Sequence, residues 1–181
     1  MKKSTIYIIN QLKPPLLEVP DLVTSLYKKK FSSLDDLMDW LVKIENRLKQ
    51  LNYSECAEIA GLRAQLAQHK FSVGVKPTEK KKRQFHKALE VIYPAQEAVT
   101  KIIFPLEEKI EQARDLMKQI LNVAASLNIL PKPTPQNFNS YIHNVWSILA
   151  THEQIKNGIN NIKSLIGMTD GLQLLAEEIE M

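Results

Sequence analysis

A run of basic residues gives the sequence its clearest chemical character. The segment KPTEKKKRQFHKALE begins at Lys76 and ends at Glu90. Its cations are Lys76, Lys80, Lys81, Lys82, Arg83 and Lys87. Cations in the first turns of a helix oppose the macrodipole, so the cluster does not serve helix stability. Such a patch can hold phosphate backbones without reading base sequence. Three interpretations stay open: a solvated surface, a nonspecific nucleic-acid site, and a site for an acidic protein partner.

The spacings that signal catalysis or metal binding are missing from the sequence. No glutamate lies three residues before a histidine, as di-iron bundles require. The sequence HEQIK has Lys156 where a zinc protease has its second histidine. The lone Cys56 excludes an internal disulfide and a cysteine-based zinc cluster. The sequence therefore predicts no catalytic residue, no metal site and no cofactor.

One short stretch has the residue spacing of a known enzyme family. The sequence RAQLAQH places an arginine and a histidine at Arg63 and His69. It resembles the loose Arg-x4-6-His motif of the HEPN-type helical ribonucleases. In that family the motif supplies the catalytic pair, so the resemblance implies Arg63 and His69 as that pair. The match covers this motif alone, and in the family the pair tends to lie on a later helix of the bundle.

His152 lies among apolar residues at helical spacing, between Ile148 and Ile155. A single polar residue in an apolar seam can fix helix register at a cost in stability. Burial disfavours the charged form of histidine, so we expect the fold to lose stability in mildly acidic solution. The sequence therefore makes His152 a candidate buried polar residue that sets register and pH sensitivity, with Gln96 as a candidate partner.

Trp40 and Trp146 flank the apolar stripes of their segments instead of occupying them. Such residues either widen the buried face of a helix or stay exposed and anchor a partner. Both tryptophans are therefore candidate residues of a partner interface, and the packing interpretation stays open beside it.

The elements that must position these residues are predicted to be helices. The chain of 181 residues is 44% hydrophobic and 24% charged, with only 5 glycines, which disfavours a fold rich in tight turns. The net charge is +4, with a basic middle and an acidic end. No apolar stretch approaches the length of a membrane span, and one unpartnered cysteine suits a reducing compartment. We expect a soluble, cytoplasmic protein.

Three segments show the three-and-four-residue spacing of amphipathic helices. The first predicts a helix from Leu34 to Asn52, capped by Ser33, and a shorter helix from Ser54 to His69. The second keeps its phase from Phe85 to Leu127. The third begins at Phe138 and continues to Ile166, with weaker helix signals after Lys156, and a last helix is predicted over 170–180.

Pro94 and Pro105 interrupt the second segment without disturbing its phase. A break into unrelated helices would have no reason to preserve the pattern, so we favour one long helix kinked at one or both prolines. In the alternative, each proline begins a new helix.

The first twenty residues contain Pro14, Pro15 and Pro20, which argue against a regular helix. We therefore predict an irregular N-terminal arm over residues 1–20 and a single helical-bundle domain over 21–181. The predicted fold class is all-α: an antiparallel bundle of long heptad-patterned helices.

Together these features favour a non-enzymatic intracellular protein that acts by protein–protein interaction or homo-oligomerisation. The alternative is a nonspecific nucleic-acid binder that uses the segment from Lys76 to Lys87. A HEPN-like ribonuclease is the remote alternative. No membrane partner is expected.

Overall fold

The regular secondary structure of this chain is helical. A computed structural model describes residues 3–30, 32–70, 77–132 and 137–180, without the side chains of 69–70, 77–82 and 180. Within these ranges there is no strand, so the all-α fold class is confirmed. The helices are α1 (Thr5–Leu17), α2 (Val19–Tyr27), α3 (Ser33–Leu51), α4 (Cys56–Lys70), α5 (Pro77–Ser126), α6 (Phe138–Thr151), α7 (Lys156–Ile166) and α8 (Met168–Glu180).

None of the helices in the described ranges combines the length and the apolar character needed to cross a bilayer.

The N-terminal residues form helices, so the predicted irregular arm over residues 1–20 is wrong. Helix α1 continues through Pro14 and Pro15. A proline lacks the N–H that would bond the carbonyl four residues earlier, and for Pro15 that carbonyl belongs to Gln11. The guanidinium of Arg47, on α3, donates to this Gln11 carbonyl oxygen. Pro20 lies in the first two positions of α2, where a missing N–H removes no intrahelical bond.

The chain divides into two compact units. One consists of Met1–Tyr7 together with Pro105–Met181, and the other is Ile8–Phe104. Helices α1 and α5 each contribute residues to both units. The single helical-bundle domain predicted over residues 21–181 stays a prediction.

In the unit Ile8–Phe104, α3 packs against α2 and α4. Its bounds agree with the predicted helix to within one residue, and its end is fixed by Asn52 in the left-handed conformation, with φ of 64°. Asparagine tolerates this conformation better than most residues. The predicted cap, Ser33, is instead the first helical residue, and its hydroxyl donates to the Lys30 carbonyl oxygen at 2.8 Å.

Helix α5 runs from Pro77 to Ser126 without interruption at Pro94 or Pro105. The favoured interpretation of one long helix is therefore the one observed. Most of the predicted apolar positions are buried, whereas Leu89 and Leu106 are only half-buried and Leu127 is exposed. Before Pro105 the helix buries further positions beside the predicted ones: Ala88, Val91, Ala95, Ala98 and Ile102. The burial therefore covers a wider face in this part of α5 than the sequence pattern predicts.

In the unit that contains Pro105–Met181, α6 packs against α7 and α8, and α7 packs against α8. The buried residues of α6 are Ile142, Val145, Trp146 and Leu149. The predicted stripe began at Phe138, but Phe138 is exposed, and Tyr141, the next position at helical spacing, is half-buried. The face that α6 buries is thus rotated by about one residue from the predicted one.

Candidate functional site

Only part of the predicted basic site lies within the described residues. Lys76 lies outside them, as do the side chains of residues 80–82. Arg83 is exposed, and Lys87 pairs with Glu90 over the 2.9 Å between Nζ and Oε2. This pair neutralises one of the two described cations. Binding of nucleic acid or of an acidic partner by the segment stays a prediction.

Both tryptophans are buried, so their interpretation as exposed partner-interface residues is wrong. Trp40 is 2% exposed and Trp146 is 3% exposed. Trp40 Nε1 donates to the Pro15 carbonyl oxygen at 2.8 Å, which ties α3 to the end of α1. The open alternative, in which both rings widen the buried faces of their helices, is the arrangement observed.

The ring of Trp146 lies directly against α8. A Cβ atom added at Gly171 would lie 2.6 Å from Cη2 of Trp146 and 3.3 Å from Cγ2 of Ile162. Real Cβ atoms essentially never lie this close to a neighbour, so any side chain at position 171 would force the ring or α8 to move. The Lys163 ammonium lies 5.9 Å from the ring centroid, within the range of a cation–π interaction.

His152 does not sit inside a helix, so its predicted place in a continuous buried seam is wrong. Helix α6 ends at Thr151, and His152 has the extended backbone of a C-cap residue. Its carbonyl oxygen accepts hydrogen bonds from the N–H groups of Ile155 and Lys156, at 3.0 and 2.9 Å, which begin α7. The half-buried side chain has no hydrogen-bond partner at Nδ1 among the described residues. His152 therefore connects two helices, and nothing in this geometry assigns it a role in register.

Of the pair that resembles the HEPN motif, only Arg63 has a described side chain. Arg63 Nε donates to Glu45 Oε2 at 2.8 Å, and Nη2 lies 3.4 Å from Glu45 Oε1. This ion pair joins α4 to α3 and occupies the fork of the guanidinium. The side chain of His69 lies outside the described residues, so the catalytic pair stays untested.

Asp170 is a buried carboxylate that the sequence placed only at the start of the last helix. It is 1% exposed and accepts hydrogen bonds from residues at the N-terminal end of α1. The donors are Ser4 Oγ, the Thr5 N–H at 2.6 Å and the Ile6 N–H at 3.4 Å. A carboxylate from α8 thus caps α1 and interacts favourably with its macrodipole.

A cavity of about 340 Å³ lies beside this cap, at the turn between α7 and α8. Asp170 and Lys163 both line it. Asp170 already accepts the α1 cap hydrogen bonds, and Lys163 lies over the Trp146 ring. Among the described residues no group of three or more histidine, cysteine or acidic side chains could hold a metal ion.

Arg114 connects α5 to α8 through two carboxylates. Its Nη2 donates to Glu177 and its Nη1 to Glu178, both at 2.8 Å. The hydrogen bond to Glu177 is the largest cause that raises the pKa of Arg114 above its ordinary value, and burial opposes it. The Glu178 side chain is only 5% exposed, so Arg114 compensates a nearly buried charge. These contacts are structural.

The outward side of α5 carries the candidate functional surface. Tyr93 is 53% exposed and Phe104 is 59% exposed. Glu97 and Thr100 lie between them, so the four positions are separated by four, three and four residues. This spacing places them in one row along a helix. We name this row, together with Lys101, the outer α5 face.

A charged pair lies between the two aromatic residues of the outer α5 face. Lys101 Nζ lies 2.9 Å from Glu97 Oε1, and both side chains are well exposed. The hydrogen bond to Glu97, more than its charge, raises the pKa of Lys101. The Thr100 hydroxyl donates to the Gln96 carbonyl oxygen at 2.9 Å, so it is already used within the helix. The face therefore offers two aromatic rings, one anion and one cation.

Sequence reasoning missed this surface because it followed the apolar stripe of α5. The row from Tyr93 to Phe104 repeats the same spacing, but charged and hydroxyl side chains separate its aromatic members. Two large aromatic residues eleven positions apart, outside the apolar stripe, were the available signal.

Comparison of the chain with protein-family models, with curated protein sequences and with solved structures finds no match in any of the three.

Proposed function

We propose that the protein is a non-enzymatic binding protein that acts by protein–protein interaction, and that the outer α5 face is its docking surface. The observation that carries this proposal is the exposure of Tyr93 and Phe104 in one row of α5. Single exposed apolar residues are ordinary on protein surfaces. Two aromatic residues aligned on one helix are the residue type and arrangement that interfaces favour.

The spacing of the row supports a helix as the element that docks on it. Positions separated by four, three and four residues match the seam along which two helices pack. An exposed pair of charges within the outer α5 face suits an interface whose partner can also exist alone, because these charges stay hydrated when the partner leaves.

Three further features belong to the same proposal. The helices pack as an antiparallel, heptad-patterned bundle, α5 is kinked at Pro94, at Pro105 or at both, and the protein works in the cytoplasm. The uninterrupted course of α5 through both prolines supports the second of these, because proline inside a helix usually bends it.

Site-specific photocrosslinking in cells tests the proposed function. The photoreactive residue p-benzoylphenylalanine replaces Phe104 in one variant and Leu17 in a matched control. Leu17 is 70% exposed and belongs to the same unit, but it lies on α1. We expect an adduct of defined mass from position 104 and none from position 17. Equal labelling at both positions, or none at position 104, would contradict the proposal.

A further inference from the structure

We infer that the occupant of the outer α5 face is a second copy of this chain, docked antiparallel about a two-fold axis midway between Tyr93 and Phe104. This inference rests on the proposed function, because it names the partner of the same surface. A two-fold dimer is the commonest assembly of identical chains, and it uses one self-complementary patch on each copy.

The charges of the face favour this orientation. In a parallel dimer Glu97 would lie against Glu97 of the second copy, and Lys101 against Lys101, so like charges would meet. In the antiparallel dimer Glu97 lies near Lys101 of the second copy, and the two-fold axis repeats this pair. Both side chains are exposed and can therefore reach across the interface. Opposite charges at such positions select the partner and its orientation.

The aromatic residues fit the same arrangement. Tyr93 and Phe104 are eleven residues apart, which corresponds to about 16 Å along a helix. The proposed axis places each Tyr93 against Phe104 of the second copy, at both ends of the contact. Aromatic pairs of this kind gain about 0.5–1.5 kcal/mol beyond the area that they bury. Thr100, which lies near the axis, is small enough to let the helices approach.

The size of the face predicts a weak dimer. Three turns of helix with two aromatic side chains per copy bury less than the roughly 1,200 Å² of a stable interface. We therefore expect monomer and dimer to exchange with a dissociation constant between about 10 μM and 1 mM. Each pair of Glu97 with Lys101 of the second copy should contribute about 0.5–1 kcal/mol to the free energy of dimerisation. A substitution that replaces both pairs with like charges should therefore weaken the dimer about tenfold.

Sedimentation equilibrium of the full chain across this concentration range tests the inference. The variants Glu97→Lys and Lys101→Glu each give the face charges of one sign, so each should dimerise about tenfold less tightly than the parent. An equimolar mixture of the two variants should form a heterodimer at least as tight as the parent dimer. Unchanged dimerisation of the single variants, or no recovery in the mixture, would overturn the assignment.

Two matched variants distinguish dimerisation through the outer α5 face from nonspecific association. Phe104→Ser should weaken the dimer, whereas Leu17→Ser should leave it unchanged, although Leu17 is the more exposed residue. Circular dichroism should show that both variants keep the parent's helix content, because neither residue is buried.

Cysteine crosslinking tests the orientation in a Cys56→Ala background. Tyr93→Cys and Phe104→Cys chains, when mixed under mild oxidation, should form a disulfide between positions 93 and 104. Each variant alone should stay uncrosslinked. Disulfides in the separate variants, and none between them, would establish a parallel dimer and overturn the proposed geometry.

The tests distinguish this inference from the proposed function. A chain that stays monomeric up to about 1 mM, but gives an adduct to a different protein from position 104, would overturn self-docking and leave the docking surface in place. A monomer without any adduct from position 104 would overturn both.

Discussion

Gly171 offers the sharpest test of the packing between α6 and α8. The substitution Gly171→Ala adds one methyl group where the Trp146 ring leaves no room. The new Cβ would lie 2.6 Å from Cη2 and 3.1 Å from Cζ3 of this ring, both of which belong to a rigid aromatic system. The ring is buried and cannot swing into solvent, so the helix or the whole side chain must move.

The expected cost follows from two opposing contributions. Overfilling a packed core costs about 1–3 kcal/mol, whereas alanine is better than glycine in a helix by up to about 1 kcal/mol. The overpacking contribution is the larger one because the clash involves rigid ring atoms. We expect Gly171→Ala to lower the free energy of unfolding by about 1–2 kcal/mol.

Urea denaturation followed by circular dichroism measures this change, and a double-mutant cycle assigns it. Trp146→Phe removes the outer ring atoms and breaks no hydrogen bond, since Nε1 has no partner among the described residues. The loss in free energy of unfolding should therefore be about 1–2 kcal/mol smaller in the double variant than the sum of the losses in the two single variants.

Gly61→Ala is the control, because nothing lies within 4 Å of its added Cβ. It should stabilise the protein by about 0.5–1 kcal/mol. If Gly171→Ala stabilised the chain to the same extent, α8 would not pack against Trp146 and the described contact would be wrong.

Three further predictions concern buried or partly buried polar groups, each measured as a free energy of unfolding. Asp170→Ala should cost about 2–4 kcal/mol because the first turn of α1 loses its charged acceptor, and Asp170→Asn should cost less. Arg114→Met should cost about 2–3 kcal/mol because Glu178 loses its partner, and adding Glu178→Gln should recover part of this. Burial, and then the charge of Glu55, raises the pKa of Tyr53 above 10.0. The folded state therefore holds this proton more tightly, so stability should be full below pH 10 and fall as pH rises through that value. Tyr53→Phe should lessen that alkaline decline.

The sequence was sufficient where local signals and helical periodicity agree. The bounds of α3 were predicted within one residue, because acidic residues crowd its first turn and Asn52 ends it. The uninterrupted course of α5 followed from a phase that two prolines did not disturb. In both cases neighbouring residues alone determine where the helix begins, continues or ends.

The sequence was insufficient where a distant side chain changes the local rule. Pro14 and Pro15 argue against a helix, but Arg47 supplies a donor to the Gln11 carbonyl from 36 residues away. The capping of α1 by Asp170 joins residues about 165 positions apart. No local sequence pattern indicates such contacts. At His152 the local pattern predicted a helix that continues, whereas α6 ends at Thr151, because apolar spacing continued by chance across the end of α6.

The outer α5 face differs from these structural features in what it contributes to the fold. Tyr93 and Phe104 leave more than half of their surface in water, so their burial stabilises the monomer little. Aromatic residues are also poorer helix formers than alanine, leucine or lysine, so helix propensity does not favour them there. Leu17 and Tyr27 are exposed to a greater extent, but on helices other than α5. Neither packing nor helix propensity explains two aligned aromatic rings beside a charged pair. The proposed bound state explains them, because in it a second helix on the outer α5 face removes both rings from water.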